Sequence, residues 1–411
     1  MTPNESSRRR LRLQQQINEQ MASECDDLWA AIRQRSDYTP ALTPFLEVLK
    51  QSLFPARFFK KQDKPLVMSL CIQAPMELFH AAGVQVHKLA CGSYAAPNLA
   101  PFHLPALTCP MIKSIAGVLQ CDSELDFSRL ALVVPTTCDW VVKFSELIGI
   151  CDKADIHFLE LPHLREDEGA SRRFLAEVQR LKQWLEKITH KPIRAKTLVQ
   201  SIGRYAKAWE QLNRLIEMKR AQKVPALHFA VMANALPCQE IDRWIVDVRA
   251  YIRGLEPTDK MAPPVFLTGS PIVFPNYKLL NLIESAGMAV VADDICSLER
   301  AFPGAVTYED PSEYALLNAL AQRNHKACIC PTFADNHRRI SAMSNILKKE
   351  KIKGIIFHVL KGCHPYDMES GLLETRLKQS GFRFLKIETD YVREDEQNIV
   401  TRLEAFRRTL L

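Results

Sequence analysis

Four cysteines stand just past short apolar runs that read as buried strands. Cys71 follows PLVMSL, Cys138 follows LALVVPTT, Cys296 follows MAVVADDI and Cys363 follows GIIFHVLKG. Open α/β sheets bind ligands outside the carboxyl ends of their strands, so thiols placed this way point to one sulfur-lined crevice. Soft thiolates hold iron–sulfur clusters and zinc, and cysteine also packs as a small hydrophobe. The twelve cysteines of this chain lack zinc-finger or zinc-ribbon spacing; the one close pair is Cys328-Ile-Cys330. Iron–sulfur, zinc and plain buried thiols all stay open on spacing alone, with iron–sulfur ahead of zinc.

Flanking residues separate the cysteines further. Cys109 precedes Pro110, which suits a helix start, and the positive end of a helix dipole favours a thiolate there. Cys138 precedes Asp139, and Cys363 precedes His364-Pro365, in strand-to-helix turns whose backbone N–H groups can donate to an anionic cluster. Cys109, Cys138 and Cys363 are therefore the leading ligand candidates. Cys25, Cys151 and Cys238 are expected to carry no ligand. Glu77, one turn into the helix PMELFHAAG, is a candidate acid or base, although a solvated or capping carboxylate is the commoner role. His103, His364, Lys113 and Tyr366 are lesser candidates for orienting a ligand.

Absent motifs narrow the chemistry. The sequence has no GxxxxGK phosphate loop, no HExxH and no GxSxG, and no two of its 14 glycines are separated by a single residue. Nothing argues for ATP hydrolysis or nicotinamide binding by this chain, so electrons for any redox reaction come from elsewhere.

The elements that must position the thiols follow a repeating pattern. Strands are expected at 66–70, 84–89, 130–134 and 156–161, with helices at 75–83, 110–118 and 140–148 between them. Phe174, Val178, Leu181, Leu185 and Ile188 recur on one helical face, and further helices are expected at 197–219 and 241–252. Strands return at 265–268, 289–292, 327–329, 355–359 and 384–387, with helices at 277–286 and 338–349 and at the C-terminus. Alternation of this kind implies parallel sheets with right-handed crossovers. The expected organisation is an N-terminal helical arm (1–62), a first α/β domain (63–165), a helical insert (166–258) and a second α/β domain (259–411).

Bulk properties exclude several classes. Hydrophobic content of 47% and charged content of 25% are those of an ordinary soluble chain, and a net charge of +7 spread along 411 residues is no nucleic-acid footprint. Arg8-Arg9-Arg10 reads as a solvated helix start. No apolar run reaches membrane-spanning length, and the first residues lack the apolar core of a signal peptide. A cytoplasmic, reducing setting is expected, with reduced thiols.

Taken together, CPMIKS, VVPTTCDW, KGCHP, PMELFHAAG, LTGSP, VVADDIC and IETDY followed by TRLEAF resemble the 2-hydroxyacyl-CoA dehydratase and benzoyl-CoA reductase family, from about residue 64 onward. The resemblance implies two flavodoxin-like domains holding a [4Fe-4S] cluster through the positions matching Cys109, Cys138 and Cys363. It also implies an ATP-dependent iron–sulfur activator that supplies a low-potential electron, an acyl-CoA substrate that is dehydrated or reduced, and a homodimer or a heterodimer with a homologous subunit. One branch of the family holds a double-cubane [8Fe-9S] cluster on six cysteines and reduces small molecules. For that branch Cys71, Cys121, Cys296 and Cys330 are the extra ligand candidates here, although Cys121 precedes Asp122 where the branch has proline. A cluster-bearing partner subunit without catalysis of its own is a third reading.

Overall fold

The computed structural model describes residues 3–411 apart from 56, 58–65, 72, 101–103, 122–124, 128–129, 153, 257–260 and 328, with the side chains of 3–7, 66 and 150–152 also set aside. Eight strands form two sheets among the described residues. The first contains β1 (Leu66–Ser69), β2 (Gln85–Lys88), β3 (Ala131–Pro135) and β4 (Asp155–Leu159) in the order β2-β1-β3-β4. The second contains β5 (Pro264–Gly269), β6 (Ala289–Asp293), β7 (Gly354–Leu360) and β8 (Arg383–Thr389) in the order β6-β5-β7-β8. Every pairing is parallel. The protein is thus α/β, with two flavodoxin-like sheets.

Burial explains which runs form the centre. All residues of ALVVP in β3 and of GIIFHVL in β7 are buried, because helices cover both faces of a parallel sheet and leave no polar side. The edge strand β8 instead alternates, with Arg383 and Glu388 exposed and Phe384, Ile387 and Thr389 buried. In each sheet the second strand lies on one side of the first and the third on the other. The crevice this leaves beyond the strand ends opens between β1 and β3, and again between β5 and β7. Gly269 closes β5 at φ +119, where an added Cβ would lie 1.9 Å from the His358 carbonyl oxygen, so no side chain fits at that strand end.

The helices, in chain order, are α1 (Pro3–Arg33), α2 (Thr43–Ser52), α3 (Met76–Ala81), α4 (Pro110–Cys121), α5 (Asp139–Asp152), α6 (Ala170–Thr189), α7 (Ala195–Arg220), α8 (Ala226–Ala235), α9 (Ile241–Arg253), α10 (Lys278–Ser285), α11 (Glu313–Ala327), α12 (His337–Lys349), α13 (His364–Gln379) and α14 (Glu396–Arg408). Helices α6 to α9 fall between the two sheets in the chain. In α6 the expected stripe is the buried one: Phe174, Val178, Leu181 and Leu185 are at most 1% exposed, while Ile188 is half-buried. Burying such a side chain stabilises by about 1.5–3 kcal/mol. At the end of α7, Lys219 is buried between Asp293, at the end of β6, and Glu299 at 2.8 Å, which ties the middle helices to the second sheet. No helix among the described residues is long and apolar enough to cross a membrane.

One expected strand is not found among the described residues. Ala327 is the last residue of α11 and Ile329 lies in a loop, so neither belongs to a sheet strand. The backbone there finds side-chain partners instead of a neighbouring strand: the Ile329 carbonyl accepts from Arg300 Nη1 at 2.5 Å and Arg339 Nη1 at 3.3 Å.

Candidate metal centre

Three of the cysteines stand at the first turns of three helices. Cys109 precedes α4, and its thiol accepts the N–H groups of Met111 and Ile112. Cys138 precedes α5, where the amides of Val141 and Val142 donate to its carbonyl at 3.0 and 3.2 Å and Val141 also donates to the thiol. Cys363 caps α13, with the Tyr366 amide and the Ser270 hydroxyl on its sulfur. Pro110 and Pro365 open two of these helices because proline needs no N–H donor at a first turn.

The protonation of the three differs. A hydrogen bond between Cys363 and Cys109 lowers the Cys109 thiol and raises Cys363 well above the ordinary range. Burial pushes Cys138 up to about 11. The approach of Cys109 to Cys363 depends on Gly362. It has φ +74, and a Cβ there would lie 2.3 Å from the Leu107 carbonyl oxygen. A side chain would push the turn after β7 away from the loop that carries Cys109. Trp140, in the first turn of α5 beside Cys138, ties that helix start to the turn after β7: its Nε1–H donates to the Gly362 carbonyl at 3.1 Å, and its ring stacks on His364 at 6.3 Å.

Cys71, Cys296 and Cys330 form a second group. Cys71 follows β1 and accepts the Gln73 amide; burial first, then Cys330 and Cys296, push it up to about 12. Cys296 lies in the turn after β6. Cys330 is raised by burial and drawn back by the Arg300 guanidinium and by Thr332. All six thiols line one cavity of about 940 Å³, measured out to its solvent mouth. Five of them are only half-buried, as sulfurs that face an open space are.

Two buried arginines stand behind the second group. Arg300, lining the cavity, gives Nη1 to Ile329 and Nη2 to the Tyr366 hydroxyl. Arg339, fully buried, meets Asp294 at 2.7 Å, Glu369 at 3.1 Å and Thr268 at 2.9 Å. Arg300 Nε is buried with no acceptor among the described residues. An unmatched buried donor beside six soft sulfur ligands suits an anionic iron–sulfur group. A single ion suits the spacing less: among the described residues no three His, Cys, Asp or Glu side chains are close enough to hold one. Ligands of a polynuclear cluster bind different metal atoms and stand apart. Nothing in the sequence sets Arg300 or Arg339 apart from surface arginines, so a reading of the chain alone passes over both.

The other expected residues lie elsewhere. Cys121 ends α4 and is fully buried in the apolar core. Twelve helical residues carry it roughly 18 Å from Cys109, at 1.5 Å each, and it does not line the cavity. Glu77, 1% exposed, does not line it either; Arg323 holds both carboxylate oxygens, one at 2.7 Å, as a buried ion pair between α3 and α11. Lys113 reaches the Ala106 carbonyl at 2.5 Å. Tyr366 lines the cavity through its contact with Arg300. His103 and Cys328 fall outside the described residues.

Comparison with known proteins agrees with this architecture. The family model described as 2-hydroxyglutaryl-CoA dehydratase, D-component, matches residues 71–410. The chain belongs to this family. Within it, the chain is 27% identical to an Escherichia coli protein named "Putative dehydratase subunit YjiM", over 90% of this chain and 98% of that one. It is 24% identical to the beta subunit of (R)-2-hydroxyglutaryl-CoA dehydratase of Acidaminococcus fermentans, over 86% of this chain and 94% of the relative. It is 21% identical to a benzoyl-CoA reductase subunit of Thauera aromatica, over 79% of this chain and 86% of the relative. The dehydratase family match begins at Cys71 and so spans all six cavity cysteines.

Proposed function

We propose that this chain is the iron–sulfur subunit of an enzyme of the 2-hydroxyacyl-CoA dehydratase and benzoyl-CoA reductase type. On this reading it takes a low-potential electron from an ATP-dependent iron–sulfur activator and delivers it to an acyl-CoA, which is dehydrated or reduced. The observation that carries the reading is the meeting of Cys109, Cys138 and Cys363, from both sheets and three helix starts, on one cavity. These thiols would hold a [4Fe-4S] cluster, whose contribution when bound is one-electron chemistry at low potential. The chain's own part is to lose the thiol protons on loading, to aim the amides of Met111, Val141 and Tyr366 at the sulfurs, and to narrow access with Trp140. The missing phosphate loop fits a separate ATP-hydrolysing activator, and the subunit names of the relatives support a partner: a homologous subunit or a second copy of this chain. A reducing, cytoplasmic setting fits cysteines that must stay reduced.

A second reading rests on Cys71, Cys296 and Cys330 lining the same cavity. Six thiols support a double-cubane [8Fe-9S] cluster and reduction of small molecules. Iron and acid-labile sulfide on protein purified without oxygen separate the two. About four irons per chain favours the single cluster and about eight the double cubane. No iron and no zinc would overturn both.

A further inference from the structure

A second cavity, also of about 940 Å³ measured to its mouth, shares the wall of Cys71, Lys88, Ala90, Val273 and Ser297 with the cysteine cavity. It lies between the carboxyl ends of β1 and β2, helices α2, α7 and α8, and the loops after β5 and β6. Tyr205, Trp209 and Phe302 form a run of rings along one wall, with centroids 5.7 and 5.4 Å apart. Most polar side chains on its lining are already engaged. Ser52 donates to the Leu49 carbonyl and Ser69 to that of Cys71, Asn234 holds Ser297 and Phe274, and Ser297 is bound to both backbone groups of Ile272.

Besides the Tyr205 hydroxyl, two donors are not engaged. Lys88 has no hydrogen-bond or ion-pair partner among the described residues, and it stands on the wall common to both cavities. Trp209 is 4% exposed, and its buried Nε1–H has no acceptor among the described residues. An unpartnered buried donor costs stability unless a ligand supplies the acceptor. An apolar, ring-lined chamber with one cation and one N–H donor selects a compact apolar group that ends in a carbonyl or carboxylate oxygen.

We propose that this chamber seats the acyl group of the substrate, a short branched or aromatic chain whose carbonyl oxygen is held by Lys88 and the Trp209 indole N–H, beside Cys71. The identity of the occupant rests on the acyl-CoA reading above; the chamber and its two donors do not. The geometry disfavours a dicarboxylic acyl group, because the far end of the chain would bury a second charge among Phe274, Phe302 and Tyr205, with one neutral hydroxyl and no cation to meet it.

The test is a calorimetric titration of the full chain, with iron measured on the same sample, against 3-phenylpropanoate, its neutral amide and glutarate. Saturable binding of 3-phenylpropanoate, at least tenfold tighter than glutarate, is expected. Lys88→Met should weaken the carboxylate roughly tenfold or more and the amide under threefold. Trp209→Phe keeps the ring, removes the N–H, and should weaken both severalfold. Ala233→Leu, which fills the chamber, should abolish both in a variant that melts as the parent does; if that variant does not fold, the other two decide. No saturable binding, or binding indifferent to both Lys88→Met and Trp209→Phe, overturns the proposal. Iron-loaded protein that fails to bind sinks this inference alone, whereas iron-free protein that binds sinks only the cluster reading.

Discussion

Cys109, Cys138 and Cys363 share a cavity with Cys71, Cys296 and Cys330, yet the two groups are built from different materials. The first is set by main chain: three helix starts present fixed N–H groups to the sulfurs, and Gly362 lets two loops pack closely enough for Cys109 and Cys363 to hydrogen-bond. The second has main-chain amides too, from Gln73 on Cys71 and Thr332 on Cys330, but no helix start. Its cysteines occupy turns and a loop, and the nearby positive charge is the guanidinium of Arg300. Backbone donors at a helix start cost no rotamer freedom when a ligand arrives, whereas a loop must be held by its neighbours. The first group is therefore the better preorganised site, and the second the more easily tuned or lost.

Breaking the first group should have the largest effect. With Cys109, Cys138 and Cys363 all changed to Ala, iron and visible absorption of anaerobic protein are expected to vanish; unchanged iron would refute the assignment. Changing Cys71, Cys296 and Cys330 to Ala should remove about half the iron if both groups hold metal, and none if only the first does. Arg323→Met leaves Glu77 buried without its partner, which costs about 3–5 kcal/mol in denaturant unfolding. Because α11 leads into Cys330, that variant should also load less iron at the second group than at the first. Arg300→Gln removes a positive charge beside the second group. The reduction potential should fall on the order of 100 mV, the scale of one unit charge several Å away at an effective dielectric constant of about 20. A potential unmoved in redox titration would mean that Arg300 serves the fold alone.

The smallest effect is one of pH on metal-free protein. Cys138 and Cys71 have folded values of about 11 and about 12, raised from 9.0 by burial. A raised thiol contributes stability that is complete below the unfolded value and is lost as pH climbs through the folded one. Unfolding midpoints should therefore decline from about pH 9 to 11. Cys138→Ser should flatten part of that decline, and loading with metal, which keeps thiolates charged, should abolish it.

Much of this is legible in the residues. Uniform apolar runs mark β3 and β7, period 3.6 marks α6, and the residues after Cys109, Cys138 and Cys363 mark helix starts. The misses share a cause, which is that polar satisfaction by distant partners leaves no local trace. The run at 327–329 looks like a strand because its backbone partners, Arg300 and Arg339, are remote in sequence. Glu77 reads as a solvated or capping carboxylate, or a candidate acid or base, because its partner Arg323 is 246 residues away. Cys121 is a candidate through the resemblance to the double-cubane branch alone; the helix from Pro110 carries it away from the cavity.

Each group draws its thiols from both sheets: Cys109, Cys138 and Cys71 from the first half of the chain, Cys363, Cys296 and Cys330 from the second. During synthesis the first sheet can fold while its three thiols wait in a half-built wall. The last of them to gain its partners does so only when Cys363, some fifty residues before Leu411, has been made and β7 has docked. On the cluster reading proposed above, metal insertion would thereby be a late event that reports completion of the whole fold, and a truncated chain ending before β7 would have no first site to fill.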